Sequence, residues 1–342
     1  IINGKKIIEL KSKRKFMTYR LFKYPDSIFK DLKNLFETKM IKFKYYLIAA
    51  RPKQWIKNLI VFSAPLFAYQ LTPKTFFESL IAFIIFCIVS SGIYFLNDSI
   101  DYEKDKIHPK KKFRPIAADF ISRKNAIKFS FILITFCILF SLYINKFLGL
   151  IIFLYCLIQI LYCISLKEKP LLDIYCISSG FLLRALAGGA ISGIRFSPWF
   201  MLTVGLLALF LAIEKRKAEL RFFLNGGSIQ KKVLKIYSLP LLMRLENLVS
   251  TASFITYSLW ASGPTLNGAK TSWMLITIPF ILYGIFRYQL LSDPEKSSRY
   301  LPNDYGVIAS EAPEEVLLKD KGMQINLITW FLITLTILKF TN

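Results

Sequence analysis

The chain has 342 residues, 54% of them hydrophobic and 31 of them Phe, with a mean hydropathy of +0.44 and a formal net charge of +24. Apolar runs far longer than a soluble core helix needs exclude an ordinary water-soluble domain. The cations sit mostly in alternate loops between those runs, which fits membrane topology and anionic lipid headgroups, so no nucleic-acid partner is expected.

In chain order, residues 1–44 form a Lys-rich stretch with no long apolar run, read as a basic cytoplasmic tail or surface helix without chemistry and without a cleavable signal. Residues 45–342 are expected to form a single transmembrane domain. Spanning the hydrocarbon takes roughly 20 mostly apolar residues as a helix, because unpaired backbone polar groups are too costly in lipid. Nine segments approach that: Ile56–Leu71, Phe76–Leu96, Ala126–Asn145, Phe147–Ser165, Leu171–Ile191, Phe196–Ile213, Leu239–Ala261, Ser272–Leu291 and Met323–Phe340. Lys and Arg concentrate in the N-terminal tail, residues 104–128, 167–169, 215–235 and 292–322. The intervening turns near residues 72–74, 145–146, 192–197 and 263–270 carry few charges. The fold expected is therefore an all-α polytopic membrane protein with nine transmembrane helices, N-terminus in and C-terminus out, in the cytoplasmic (inner) membrane.

Cys87, Cys137, Cys156, Cys163 and Cys176 lie inside apolar spans without CxxC spacing and are read as packing residues. Gly188 and Gly189 suit close helix contact. Trp55, Trp199, Trp260, Trp273 and Trp330 fall near span ends, where interfacial belts form.

The chain has 22 carboxylates, yet Asp98, Asp101, Glu103 and Asp105 fall together where the second span leaves the membrane, in the string NDSIDYEKD. If the helix continues there, Asp98, Asp101 and Asp105 lie at i, i+3 and i+7 on one face, with Asn97 one turn before Asp101. Like charges so placed make sense when a cation and a phosphorylated ligand sit among them; the bland alternative is a solvated Asp- and Lys-rich loop. Mg2+ suits this donor set, since it prefers hard oxygens and joins one or two carboxylates to substrate phosphates. Lys110, Lys111, Lys112 and Arg114 follow at once and bring positive charge for the remaining phosphate oxygens, with Lys112 and Arg114 as the candidates. His108 is the single histidine, so a tri-histidine metal site within this chain is excluded. Asp173 opens the fifth span and Arg184 lies three turns deeper, and an ionisable residue at membrane depth is a functional candidate by default. Either one is also open to structural pairing with Arg244, Glu246 or Arg287.

The NDxxDxxxD string after the second of nine helices, followed by Arg114–Pro115, resembles the UbiA-type intramembrane transferases. The resemblance implies a helical bundle around a cavity opening to the cytoplasm, with a diphosphate substrate held through Mg2+ between two acidic motifs. Where the second motif is expected, this chain reads EKRKAEL from Glu214 to Leu220. There Glu214 and Glu219 stand five residues apart instead of the usual four, with Lys215 and Arg216 between them. Glu219 is then the metal- or diphosphate-site candidate, and Lys215 and Arg216 the phosphate binders.

That departure, with AARPKQWIKN at Ala49–Asn58, HPKKKFRPIAA, LLDIYCISSGFLLRALAGG and EAPEEVLLKDK, resembles the decaprenyl-phosphate phosphoribosyltransferase branch. The likeness implies transfer of 5-phosphoribose from 5-phosphoribosyl 1-diphosphate to a polyprenyl phosphate lipid, towards cell-envelope lipid-linked sugars. Diphosphate would leave with Mg2+ on Asp98, Asp101 and Asp105 while the anionic lipid phosphate attacks the ribose C1. Lys53, Lys57, Lys215 and Arg216 would answer the donor's extra phosphate, and Asp173 the ribose hydroxyls or a cation. Arg184 would face the polar cavity. Lys57 equally suits an ordinary anchor of the cytoplasmic face. A UbiA-type transfer of a prenyl group to an aromatic acceptor is the competing reading, and a transporter a more distant one. Membrane lipids are the surrounding partner, and a homo-oligomer is left open.

Overall fold

The structure, a computed structural model, describes residues 43–108, 111–224, 232–292 and 319–341. Nearly all of the basic tail, Lys110, parts of the basic loops and most of the EAPEEVLLKDK string lie outside the described residues. The chain divides into two compact units, residues 1–48 and 49–342. Residues 43–48 of the first are helical. All regular structure described in the second is helical as well.

The second unit opens with a backbone reversal. Arg51 has φ 54° and precedes Pro52, so no regular α-helix runs through this point. A 3-10 helix follows over Pro52–Phe62 (11 residues), continued by α1, Ser63–Phe67 (5 residues). The expected first span is thus wound more tightly than an α-helix. At about 2.0 Å per residue in the 3-10 part and about 1.5 Å in the α part, residues 52–67 rise roughly 30 Å, and regular helix ends before the expected limit at Leu71.

α2 spans Pro73–Ile100, started by a capping box between Thr72 and Thr75 with Pro73 in the first turn. Asp101 interrupts it with φ −84° and ψ 6°, and one short turn of helix, α3, follows over Tyr102–Lys106. α4 is Arg123–Ile144 and α5 is Lys146–Ile164; Asn145 alone joins them and caps α5 by accepting from the Phe147 and Leu148 N–H groups at 2.8 and 3.1 Å. α6 is Leu172–Ser192, ended by Gly193 at φ 66°, where a glycine adopts the left-handed conformation without strain. α7 is Pro198–Leu224, α8 Leu239–Ala261, α9 Ile278–Ser292 and α10 Lys321–Phe340. Asp320 caps α10 through the Met323 N–H at 2.7 Å and takes Arg287 Nε and Nη2 at 3.1 and 2.9 Å.

Seven helices among the described residues are long and apolar enough to cross a membrane: α2, α4, α5, α6, α7, α10 and the continuous helical stretch Ser272–Ser292 that ends in α9. The chain is a multi-pass membrane protein. α8 has the length, at 23 residues, but carries Arg244 and Glu246 and falls outside that apolar set.

Each long helix packs on the next in sequence from α4 to α10, and α2 packs on α4, α5 and α6. The opening 3-10 helix lies against both α2 and α6. Short turns make sequence neighbours antiparallel, so the end of α2, the start of α6 and the end of α7 gather at one end of the bundle. Three apolar clusters fill the interior, one with Val61, Phe86, Ile152 and Tyr155, a second with Phe210, Ile213, Leu242 and Met323, and a third with Phe200, Tyr257, Trp260 and Met274. The cysteines are buried and free, as packing residues should be. Trp260 belongs to the core, 3% exposed against Phe67, Phe200 and Tyr257, whereas Trp273 is exposed as expected of an interfacial residue.

Gly188 is where α6 meets the opening segment: a Cβ there would stand 1.9 Å from the Val61 carbonyl oxygen. Without a hydrophobic drive between helices in lipid, backbone approach of this kind supplies much of the packing. Gly188→Ala is expected to cost about 1–3 kcal/mol or more, because a backbone atom cannot step aside. A thermal unfolding midpoint in detergent equal to that of the wild type would sink this account.

Candidate active site

The polar end of the bundle is built from residues that the helix ends deliver. Asp98 lies in the last turns of α2 and is 2% exposed; Asp105, in α3, is 3% exposed. Carboxylates so buried need countercharge, and two arginines supply it. Arg114 Nη1 donates to Asp98 Oδ1 at 2.9 Å and to Asp105 Oδ2 at 2.7 Å. Arg51 Nη2 donates to the same Asp98 oxygen, and its guanidinium lies 4.9 Å from the centre of the Tyr94 ring. Burial pushes the Asp105 carboxyl above the ordinary range, while Arg114 pulls it back.

Asp101 takes a different partner. The break in the helix turns it to Lys167, whose Nζ donates to Asp101 Oδ1 at 2.7 Å, so the shared face expected of three aspartates becomes a pair plus one. Lys104 and Glu168 pair alongside at 3.0 Å. Asn97 is half-buried beside Asp98. Of the neighbouring cations, Lys112 is exposed over the Phe113 ring, 5.2 Å away, and Lys53 is exposed on the opening 3-10 helix. Lys111 is the half-buried one, and the charges of Asp101, Asp105 and Glu219 all act on it. Burial and Arg114 push its ammonium below the ordinary lysine range.

The second motif is a closed ionic network. Asp173 and Arg216 are both fully buried. Arg216 donates from Nε to Asp173 Oδ2 at 2.5 Å, from Nη1 to Glu219 Oε2 at 2.5 Å and from Nη2 to the Tyr162 hydroxyl at 3.4 Å. Tyr237 donates to Asp173 Oδ1 at 2.7 Å and accepts from the Leu171 N–H at 2.7 Å, and burial pushes its phenol up. Glu214 faces elsewhere, on Lys217 Nζ at 2.5 Å, and Lys217 also bonds Glu246. Lys215 is half-buried on the same helix.

Arg184 is not drawn into this end. It lies roughly 16 Å along α6 from Asp173 at 1.5 Å per residue, buried, with Nε on Asn58 Oδ1 at 2.6 Å and Nη2 on the Tyr155 hydroxyl at 3.0 Å. The rings of Phe86, Tyr155 and Phe181 surround its guanidinium at 4.9–5.8 Å. Arg184 pins the opening segment to α5 and α6. None of the alternative partners named for it, Arg244, Glu246 or Arg287, bonds it.

Among the described residues no three His, Cys, Asp or Glu side chains converge as a ready metal cage. Asp98 and Asp105 nevertheless converge on one positive atom, Arg114 Nη1, each within 2.9 Å. Two hard carboxylate oxygens aimed at one cation position, with cations close by for phosphate, fit a Mg2+ ion whose other ligands are diphosphate oxygens and water. Sequence reasoning missed Arg51, Lys167, Tyr162 and Tyr237, and it named Lys111 among the cations beside the aspartates without singling it out. Arg51 and Lys111 stood inside strings already singled out, but Lys167 read only as a loop charge.

Known proteins resemble the chain both in sequence and in fold. Residues 59–301 match the UbiA prenyltransferase family. The chain is 37% identical over 295 residues to a decaprenyl-phosphate phosphoribosyltransferase of Mycolicibacterium smegmatis, covering 82% of this chain and 88% of that one. It is 36% identical over 289 residues to a protein of the same name from Corynebacterium glutamicum, covering 82% and 83%. Its fold resembles the solved structure of a UbiA homolog from Archaeoglobus fulgidus bound to GPP and Mg2+, with a TM-score of 0.62 at 17% identity over 86% of this chain and 99% of the other. With the family's pattern matched through most of the chain and its helical architecture reproduced around two acidic motifs, the protein belongs to the UbiA prenyltransferase family and is a membrane transferase.

Proposed function

We propose that the protein transfers 5-phosphoribose from 5-phosphoribosyl 1-diphosphate to polyprenyl phosphate and releases diphosphate in a Mg2+-dependent reaction. The observation that carries this reading is the likeness to phosphoribosyltransferases over 82% of the chain at 36–37% identity. The site supports it: the second motif offers Arg216 with Glu219 and Asp173, and Glu214 is turned away. That arrangement is richer in cation than a pair of aspartates and suits a donor carrying an additional phosphate.

Asp98 and Asp105 would hold the metal, with Asp101 joining them once it releases Lys167. Bound Mg2+ would supply Lewis acidity towards the departing diphosphate. Arg51, Arg114 and Lys111 would then bind its oxygens, and Lys112, Lys53, Lys215 and Arg216 are the candidates for the donor's other phosphate. Asp173 is the candidate for the ribose hydroxyls and Asn97 for a polar contact beside Asp98; Arg184 acts from a distance through Asn58 and the opening segment. In the transfer itself the C1–O bond to diphosphate breaks and a C1–O bond to the lipid phosphate forms. The lipid oxygen is already anionic, so no general base is needed, and positioning with charge stabilisation carries the rate.

The same reading has nine spans, N-terminus in and C-terminus out, with the acidic end facing the cytoplasm at the inner membrane and the product lipid destined for envelope sugars. The deciding assay is diphosphate release by the purified protein given 5-phosphoribosyl diphosphate, polyprenyl phosphate and Mg2+. Release that depends on lipid and disappears with EDTA or in Asp101→Asn is expected. Turnover of a prenyl diphosphate with an aromatic acceptor, and none of the phosphoribosyl donor, would overturn it.

A further inference from the structure

The metal position between Asp98 and Asp105 is held by the protein's own cations. Two carboxylates meet two guanidiniums there: Arg114 bridges both acids, and Arg51 closes on the Asp98 oxygen that Arg114 also uses. The two acids and two guanidiniums cancel, and Lys111 beside Asp105 adds a further positive charge. Arg51 is set in place by an unusual backbone, φ 54° in a non-glycine residue, and by the Tyr94 ring under its guanidinium. Lys167 engages Asp101 in the same way. A divalent ion arriving alone would add two positive charges to a cluster with no net negative charge and would have to strip the buried Asp98 and Asp105 from their partners with nothing to receive them. A diphosphate arriving alone would face two buried carboxylates. Arriving together, the metal takes the carboxylates and the diphosphate oxygens take the guanidiniums, so every charge exchanges one partner for another.

We infer that Arg51 and Arg114 are resident counter-ions of the acidic motif that hand Asp98 and Asp105 to the metal only when a diphosphate group accepts them, so that metal and diphosphate bind as one coupled unit. The proposal rests on the diphosphate-site reading above and names the residues that make binding cooperative. It assigns Arg51 a part in substrate binding and makes Arg114 a switch between acid and phosphate.

The test is equilibrium dialysis of the full-length protein in detergent against Mn2+ held at fixed free concentrations, with and without inorganic diphosphate. Metal affinity is expected to rise with diphosphate by a factor within the usual range of site-to-site coupling, about 5- to 150-fold, and diphosphate affinity to rise with metal by the same factor. In Arg51→Gln and Arg114→Gln, metal alone should bind more tightly than to the wild type and the coupling should shrink; thermal unfolding of each variant shows that it is folded. The wild-type comparison decides by itself: equal metal affinity with and without diphosphate overturns the coupling and leaves the site standing. Failure to bind metal or diphosphate under any condition overturns the site reading and the coupling together. Inorganic diphosphate is common to phosphoribosyl and prenyl donors, so the outcome does not depend on which donor the enzyme turns over.

Discussion

Asp98→Asn should lower diphosphate release by about 10²–10³-fold, the usual scale for removing one preorganised electrostatic group from a transfer site. Asp98 is the acid on which Arg51 and Arg114 both converge, and it lies 2% exposed in the last turns of a 28-residue helix. An asparagine fits the same space and keeps one oxygen, but it lacks the charge that draws a divalent ion. The loss should therefore appear in kcat/KM at every metal concentration, while the thermal midpoint moves far less than the rate. Near-normal release at low Mg2+ would show that the metal does not depend on this carboxylate.

Arg216→Ala is expected to cost about 3–5 kcal/mol of stability, as breaking a buried ion pair from one side does. Arg216 is fully buried and divides its guanidinium among Asp173, Glu219 and Tyr162, which belong to three different segments. Removing it strands Asp173, itself fully buried, with only the Tyr237 hydroxyl as a side-chain partner among the described residues. Arg216→Lys keeps the charge but has no planar fork to reach three partners, so a large part of the loss should remain. Thermal unfolding in detergent measures both. An Arg216→Ala midpoint matching the wild type would mean that Asp173 is held by something other than this network.

Much of the site was legible one residue at a time. The spacing of Asp98, Asp101 and Asp105, and the pairing of Glu219 with cations in EKRKAEL, mark two acidic patches at one end of the bundle. Which acids act together was not legible. A helix read as continuous puts all three aspartates on one face, and the break at Asp101 sends the middle one to Lys167. Lys112 and Lys111 are neighbours of equal charge, and only the turn of the chain leaves the first over Phe113 and brings the second towards Asp105 and Glu219.

Sequence by itself determined that this chain lives in a membrane and where most of its helices run, because the cost of an unpaired backbone in lipid acts on each segment separately. It also determined which residues could bear charge chemistry, since so few carboxylates and a single histidine leave little choice. Only the tertiary structure decided the partners. Arg51 and Asp98 are 47 residues apart, and Arg184 and Asn58 are 126 apart. Charge pairing at such separations is set by how helices pack, and that packing depends on contacts such as Gly188 on Val61 that no local pattern specifies.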